Sequence, residues 1–436
     1  MLSAISRYGA RWVPDLEEIV ERNRRRGSLV QGQEVREFEA VFAARQGGGR
    51  ATSTSYGRMA AYYILKALDL PPGSEVIFPA LTFWVVPEMA RAAGLQPVFA
   101  DVDPVTFNIH PEALARAITP RTRAVVPTHI YGLPCDMDEI MALARERGLR
   151  VIEDCAHSLG ASYHGRPVGT FGDAALFSFQ VLKPLNTCGG GLAITRDQDL
   201  GQRIAALAEA EPWPSEERVL KRIRLGRLER ALMKPRVFSL SIFPILWGAT
   251  FFKARPDVYL WEKVRPLTPF PPPYRERYSN VQASLGLAGL ERIDEWTRAT
   301  REHAAFMSTA LGDLAGVSVP PAPRDRVHVY YQYCAYVPDR DLTVVRCLRA
   351  GLDVEYHHMD VCPDLPLFSP SRTEVSFGTP SGRCLEFPGA RRTADALQLP
   401  VHAGLSADEL ARVAARVRRA VSIAPPPRRE AAKVAR

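Results

Sequence analysis

Residues 174–195 hold the first candidate for chemistry. A short apolar run, 174–179, reads as a buried strand, and Lys183 sits just past it. Gly189, Gly190 and Gly191 follow, then a second strand-like run at 192–195. Glycines placed there let the backbone pass close to something bulky, with no Cβ in the way. A lysine at a strand end, in a crowded glycine-lined pocket, can serve as an amine nucleophile for Schiff-base chemistry. Upstream, 150–158 reads as a strand ending in Asp154, with His157 three residues on. In an α/β sheet, ligands sit beyond the carboxyl ends of the strands, so Asp154 and Lys183 fall on one binding edge. Pyridoxal phosphate needs such a pair: an amine for its aldehyde and a carboxylate for its pyridinium nitrogen. Taken alone, Lys183 also reads as a solvated surface charge, Asp154 as a strand-end turn acid and His157 as a satisfied core histidine.

The elements that must position these groups alternate along the chain. Residues 1–46 read as an N-terminal arm and a helix, with Val35, Phe38, Val41 and Phe42 at helical spacing. A helix follows Tyr56-Gly57-Arg58-Met59, over about 60–68, and ends at Pro71-Pro72-Gly73. Strands at 75–79, 97–101, 124–128 and 149–154 then alternate with helices at 111–118 and 137–147. That order predicts an α/β fold with a mostly parallel sheet covered by helices. A large domain is expected over 47–290 and a smaller one over 291–423, with a tail at 424–436. Residues 287–311 read as one long helix between them. Beyond it, 329–337 reads as a strand, 341–350 as a helix and 406–421 as a final amphipathic helix.

The 436 residues suffice for two domains and a sizeable core, and 46% hydrophobic content is globular. The formal charge of +8 could attract phosphate-bearing substrates, nucleic acid or an acidic membrane without choosing among them. Seven cysteines, scattered and without a CxxC pair, argue for a reduced compartment and against a zinc site or disulfide framework. The N-terminus shows no charged-then-apolar signal pattern, so a cytoplasmic protein is expected.

Three stretches together carry a family resemblance: Glu153-Asp154-Cys155-Ala156-His157, then 172–179 with Lys183, and Pro127-Thr128-His129-Ile130-Tyr131-Gly132 with its continuation to Met137. In this order and spacing the chain resembles the DegT/DnrJ/EryC1/StrS sugar aminotransferases, from about residue 14 to 421. The resemblance implies the pyridoxal-phosphate-dependent transferase fold of type I, with a seven-stranded sheet in its large domain. It implies that Lys183 anchors the cofactor, Asp154 pairs with its ring nitrogen, and His157 faces its ring hydroxyl. Phe83 matches the aromatic that stacks on the ring. Gly57, Arg58 and Met59 open the helix whose free amides favour the phosphate, and Ser178 completes that cup. Relatives more often carry Gly-Thr where this chain has Arg58-Met59. They also bring an Asn across the dimer interface where this chain reads Arg275-Glu276-Arg277, so Arg275 or Arg277 is the candidate there. His357 and His358 match a pair facing the substrate. No metal is implied. Members with histidine in place of the lysine run dehydration, and this chain keeps lysine, so transamination is favoured. An amino acid, glutamate or glutamine, would give its amine, and a keto sugar, nucleotide-linked in the family, would receive it. A homodimer with shared sites is expected.

The resemblance lapses at 216–274. The segment opens basic (Arg218, Lys221, Arg222, Arg224), turns apolar at 237–252, and closes basic and proline-rich. The apolar run carries no charge, is shorter than the roughly 20 residues of a membrane span, and is interrupted by Pro244. It reads either as a buried or dimer-contact element or as a dip into one leaflet, with basic flanks and aromatic anchors. The second reading would suit a lipid-linked or lipid-like carbonyl substrate and a peripheral place on the membrane. A non-catalytic protein binding nucleic acid through 218–236 is the remote alternative. It lacks a stacking platform or recognised module, so no nucleic acid is expected.

Overall fold

The computed structural model describes residues 4–9, 11–251, 263–355, 359–369 and 386–422. Nine short strands lie in the first two hundred residues: β1 Arg50–Thr54, β2 Glu75–Pro79, β3 Gln96–Ala100, β4 Thr122–Val125, β5 Arg150–Asp154, β6 Ser162–Tyr163, β7 Arg166–Pro167, β8 Ala174–Ser178 and β9 Gly191–Thr195. Seven of them form one sheet in the order β1-β9-β8-β5-β4-β2-β3. β9 is antiparallel to both its neighbours, and the other pairs are parallel. The expected seven-stranded, mostly parallel sheet is therefore present. β2 (EVIFP) is buried at every position, as a strand covered on both faces must be.

Helix Gly57–Ala67 shows how the sequence covers one face. Met59, Tyr63 and Ile64 are buried, and they share a cluster with Phe78 of β2 and Trp84. The other face meets a second cluster, in which Ile77, Val98 and Val125 of the sheet pack with Leu114, Met137 and Ile140 of the covering helices. Putting the core on both faces leaves only the sheet's ends open for a ligand.

The C-terminal part has its own core. Met307 and Leu311 of helix Ile293–Leu311, Val344 and Leu348 of helix Arg340–Arg349, and Val413 and Val417 of helix Ala407–Ser422 meet β11 (Tyr333–Tyr336) and β12 (Ala396–Leu399), an antiparallel pair. β10 (Arg326–Val327) instead extends the β6–β7 hairpin of the N-terminal part.

Three sequence expectations change. Residues 287–311 are not one helix but the end of Asn280–Leu290 and all of Ile293–Leu311. The first is buried nearly all round and the second only along one stripe, so the chain redirects between them. Asp294 and Glu295 then favour the new N-terminus electrostatically. Residues 329–337 are strand only from Tyr333, because Tyr330 adopts φ +47° and stacks on His328 with ring centroids 3.8 Å apart. Between 216 and 251 the inserted segment forms helices Glu216–Met233, Pro235–Leu240 and Ile242–Ala249, so the apolar run is broken at Ser241. Phe238, Phe243 and Leu246 of the short pair join the core of the C-terminal part.

Candidate active site

A cavity of about 590 Å³ opens beyond the carboxyl ends of β2, β4, β5 and β8. Gly57, Arg58, Phe83, Asp154, His157, Ser178 and Lys183 all line it, so most of the residues singled out in the sequence converge here. Each arrives on its own turn: Phe83 follows β2, Asp154 ends β5, Ser178 ends β8 and Lys183 begins the next loop.

Asp154 is held by both of its backbone groups. Its N–H donates to Pro127 O at 2.9 Å, and its carbonyl accepts from His129 N–H at 3.1 Å. Its Oδ1 accepts from Ala156 N–H at 3.0 Å. Burial raises the carboxyl's pKa, while the Ala156 bond and the nearby Lys183 ammonium oppose that rise. Lys183 experiences the converse. Desolvation lowers its amine to about 8, Asp154 pulls it back up, and Arg58 pushes it further down. Its Nζ sits 4.9 Å from the centre of the Tyr331 ring.

Burial, helped by Lys183, keeps His157 well below its usual pKa and therefore neutral. Its Nδ1 accepts from Tyr131 N–H at 3.3 Å, which places the ring proton on Nε2 as a donor. Tyr331 stacks on the imidazole at 4.2 Å and 21°.

The anion-binding end is the start of helix Gly57–Ala67. Met59 N–H turns back to Tyr56 O at 3.0 Å, so Gly57 and Arg58 form the first turn of the helix, the end that favours an anion. The Arg58 guanidinium is caged by Tyr56, Phe83 and Tyr274 at 5.5, 5.7 and 5.0 Å, and it donates to Tyr274 Oη. A Cβ on Gly57 would meet Ser178 Cβ at 2.8 Å, and one on Gly191 would meet Gly57 N at 2.3 Å. One on Gly190, whose φ is +108°, would enter the Tyr278 ring. The bulky objects that these glycines pass are therefore Tyr278 and the helix start. This cradle, the amine–carboxylate pair and the neutral imidazole donor fit pyridoxal phosphate in donor chemistry.

Two parts of the signature prove to be scaffolding. Glu153 accepts N–H bonds from Gly169, Phe171 and Gly172 at 2.7, 2.7 and 2.8 Å, and it faces His129 Nε2 at 3.1 Å. His129 Nδ1 in turn accepts from Cys135 N–H. His129, Glu153 and Cys155 lie close enough to hold a metal ion. Glu153 already has four partners, however, and burial keeps the Cys155 thiol protonated, so the cluster works as a clasp that fixes 169–172 against β5.

Arg275 and Arg277 do not line this cavity. Arg275 Nε bonds Glu211 Oε1 at 2.9 Å, and the Arg277 guanidinium lies 4.0 Å above Trp213. His357 and His358 lie outside the described residues, although the next residue, Met359, lines the cavity. Sequence reasoning missed Tyr56, Thr82, Thr128, Gln180, Tyr274 and Tyr331. Tyr56 and Thr128 stand inside stretches quoted above without a role of their own, and Tyr331 falls within 329–337, which reads as a strand.

The chain matches the DegT/DnrJ/EryC1/StrS aminotransferase family over residues 14–220 and 256–418. It is 31% identical over 401 residues to the spore coat polysaccharide biosynthesis protein SpsC of Bacillus subtilis, covering 91% of each chain. With GDP-perosamine synthase of Caulobacter vibrioides it shares 30% over 392 residues, covering 88% of this chain and 89% of the other. Among solved structures, the aminotransferase TlmJ from Streptoalloteichus hindustanus superposes with a TM-score of 0.73 at 27% identity, over 96% of this chain and 98% of that one. The aminotransferase from Psychrobacter cryohalolentis gives 0.74 at 26%, over 95% and 98%. With the family matched on both sides of the inserted segment and the neighbours covering nearly the whole length, the chain belongs to the DegT/DnrJ/EryC1/StrS aminotransferase family.

Proposed function

We propose that this aminotransferase uses pyridoxal phosphate to move an amino group from glutamate or glutamine to a keto sugar carried on a nucleotide. The observation that carries the reading is the convergence of Lys183, Asp154, His157, Ser178 and the Gly57 helix start on one cavity. When bound, the cofactor supplies an electron sink next to the carbon that gains or loses the amine.

The protein's part follows from its own groups. Lys183, with a pKa of about 8, is partly neutral near physiological pH, so its Nζ can act as a nucleophile and then carry a proton. Asp154, the carboxylate beside it, keeps a proton on the cofactor's ring nitrogen. His157 would offer its Nε2 proton to the cofactor's ring hydroxyl, and Phe83 would pack against the ring. The Gly57 and Arg58 amides, the Ser178 hydroxyl and the Arg58 guanidinium hold the phosphate, with Met59 buried beneath as packing. The family resemblance makes His357 and His358 candidates for the substrate side, and they lie outside the described residues.

The keto-sugar substrate is supported by relatives named for nucleotide-linked sugars, such as GDP-perosamine synthase and a UDP-2-acetamido-2-deoxy-3-oxo-D-glucuronate aminotransferase. A homodimer with shared sites also belongs to the reading. Glu211 already holds Arg275, so Arg277 is the better candidate to reach a partner's phosphate. A cytoplasmic setting fits the six free, buried cysteines among the described residues. No described helix is long and apolar enough to cross a membrane. The peripheral membrane contact expected of 237–252 rests on other residues and stands apart from this reading.

Purified protein is expected to absorb near the visible edge and to bleach with glutamate or glutamine. On a separate sample that has met no amino donor, borohydride should fix the cofactor to the peptide that carries Lys183. A label on another lysine overturns the site. Bleaching without amine transfer to any of a panel of GDP-, UDP- and dTDP-linked keto sugars overturns the substrate class.

A further inference from the structure

The family match breaks at residues 221–255, and the exposed apolar surface of the molecule gathers in the same place. Among the described residues, ten large hydrophobic side chains are exposed, and seven of them lie between Leu225 and Phe251. Single exposed hydrophobics are ordinary, but a cluster of this kind marks an interaction surface. Leu240 and Ile245 are 68% and 70% exposed, and Trp247 and Phe251 are 43% and 54%. Phe238, Phe243 and Leu246 of the same two helices are buried in the C-terminal core, so the exposed residues stand on an anchored platform. Trp247 and Phe251 pack edge to face, with ring centroids 4.8 Å apart.

The charges around this patch have one sign. From Arg230 to Lys253 the sequence carries Arg230, Lys234, Arg236 and Lys253 and no acid. The preceding acid, Glu229, has its pKa raised by burial. Arg349, from a neighbouring helix, covers one face of Phe251 at 4.6 Å. Apolar and aromatic side chains flanked in sequence by cations, with Arg349 over Phe251, suit the headgroup layer of an anionic bilayer, where Trp and Phe sit at the acyl boundary and Lys and Arg meet phosphates. A second copy of the chain would bring like charge against like charge, so charge complementarity favours lipid.

We propose that helices Pro235–Leu240 and Ile242–Ala249 dock on an anionic membrane surface and hold the enzyme there without crossing it. The two helices have six and eight residues, far short of a span, and each presents one side to the C-terminal core and another outward. The proposal does not depend on which sugar the cavity takes.

The test uses the full-length holoenzyme with vesicles of phosphatidylcholine alone or mixed with phosphatidylglycerol. The wild type should pellet with the anionic vesicles at low salt and much less with the neutral ones, and about 0.5 M salt should weaken binding through screening. Trp247 fluorescence should shift to the blue on binding, a shift that W247F lacks. The double variant L240D/I245D changes only exposed side chains and should lose binding about tenfold or more while keeping its visible absorbance and transaminase rate. The proposal is overturned if the wild type stays in the supernatant at low salt, or if the double variant binds as well. It is also overturned if the substitutions lower the particle mass in lipid-free solution, because the patch would then be an interface between copies. Bleaching by the amino donor is read separately, so failure of the membrane contact and failure of the aminotransferase reading are told apart.

Discussion

In the strand-end cavity, functional side chains are fixed by backbone that has already found its partners. Asp154 is pinned through its own N–H and C=O, His157 through Tyr131 N–H, and the Lys183 loop by the contact of Gly191 with Gly57. In the described part of the inserted segment, 221–251, the emphasis reverses: the backbone is satisfied within helices, and Leu240, Ile245, Trp247 and Phe251 face outward. One region is organised to place atoms, the other to present a surface. Arg222 is one link between them, beside the packing of Ile223 on Cys188. It comes from the first helix of the unmatched segment, lies 5.0 Å over the Tyr56 ring, and donates to Tyr56 Oη at 3.2 Å on the cavity wall. The comparison implies that the two regions can be damaged independently.

Lys183→Ala should show this most sharply. Turnover should fall roughly 10⁴-fold or more, with covalent cofactor lost, while thermal unfolding and vesicle binding stay near wild type. Parallel loss of vesicle binding would break the separation. Asp154→Asn should come next, with kcat down roughly 10²-fold or more and the fold kept, because a neutral amide cannot hold the ring nitrogen protonated. Near-normal kcat would remove Asp154 from the mechanism. Arg58→Ala should weaken cofactor binding about tenfold, seen as a right-shifted titration of stripped protein monitored by absorbance. An unchanged titration would leave the phosphate to the amides and Ser178. The smallest effect concerns pH. The neutral amine is the reactive form, and burial lowers Lys183 to about 8. The rate of cofactor incorporation into stripped protein should therefore rise with pH, reach half its plateau near 8 and level off about one unit higher. A rise continuing toward pH 10 would mean that the amine is solvated.

How much of this was legible in the sequence follows the same division. The sheet could be read because β2, β5 and β8 are apolar runs interleaved with helical periods, and Asp154 and Lys183 could be read because both stand just past such runs. Glu153 and His129 belonged to the quoted signature, but their role as a clasp needed coordinates, since the three amides that Glu153 gathers come from 169–172. Tyr331 was hidden by the left-handed turn at Tyr330, which an alternating aromatic pattern does not announce. The insertion's apolar run was legible as apolar and uncharged. Its division into buried and exposed sides was not, because the partners that cover Phe238 and Phe243 come from the distant C-terminal part.

The contact of Gly191 with Gly57 sets the reach between the lysine loop and the anion-holding helix start. Both sides of that contact are main chain, so no rotamer change can lengthen or shorten it. A library mutagenised throughout the cavity should return active members with many replacements at Thr82, Val86, Ile130 and Met359, yet only glycine at 57 and 191. New substrate preferences can thus arise around a cofactor seat whose dimensions do not drift.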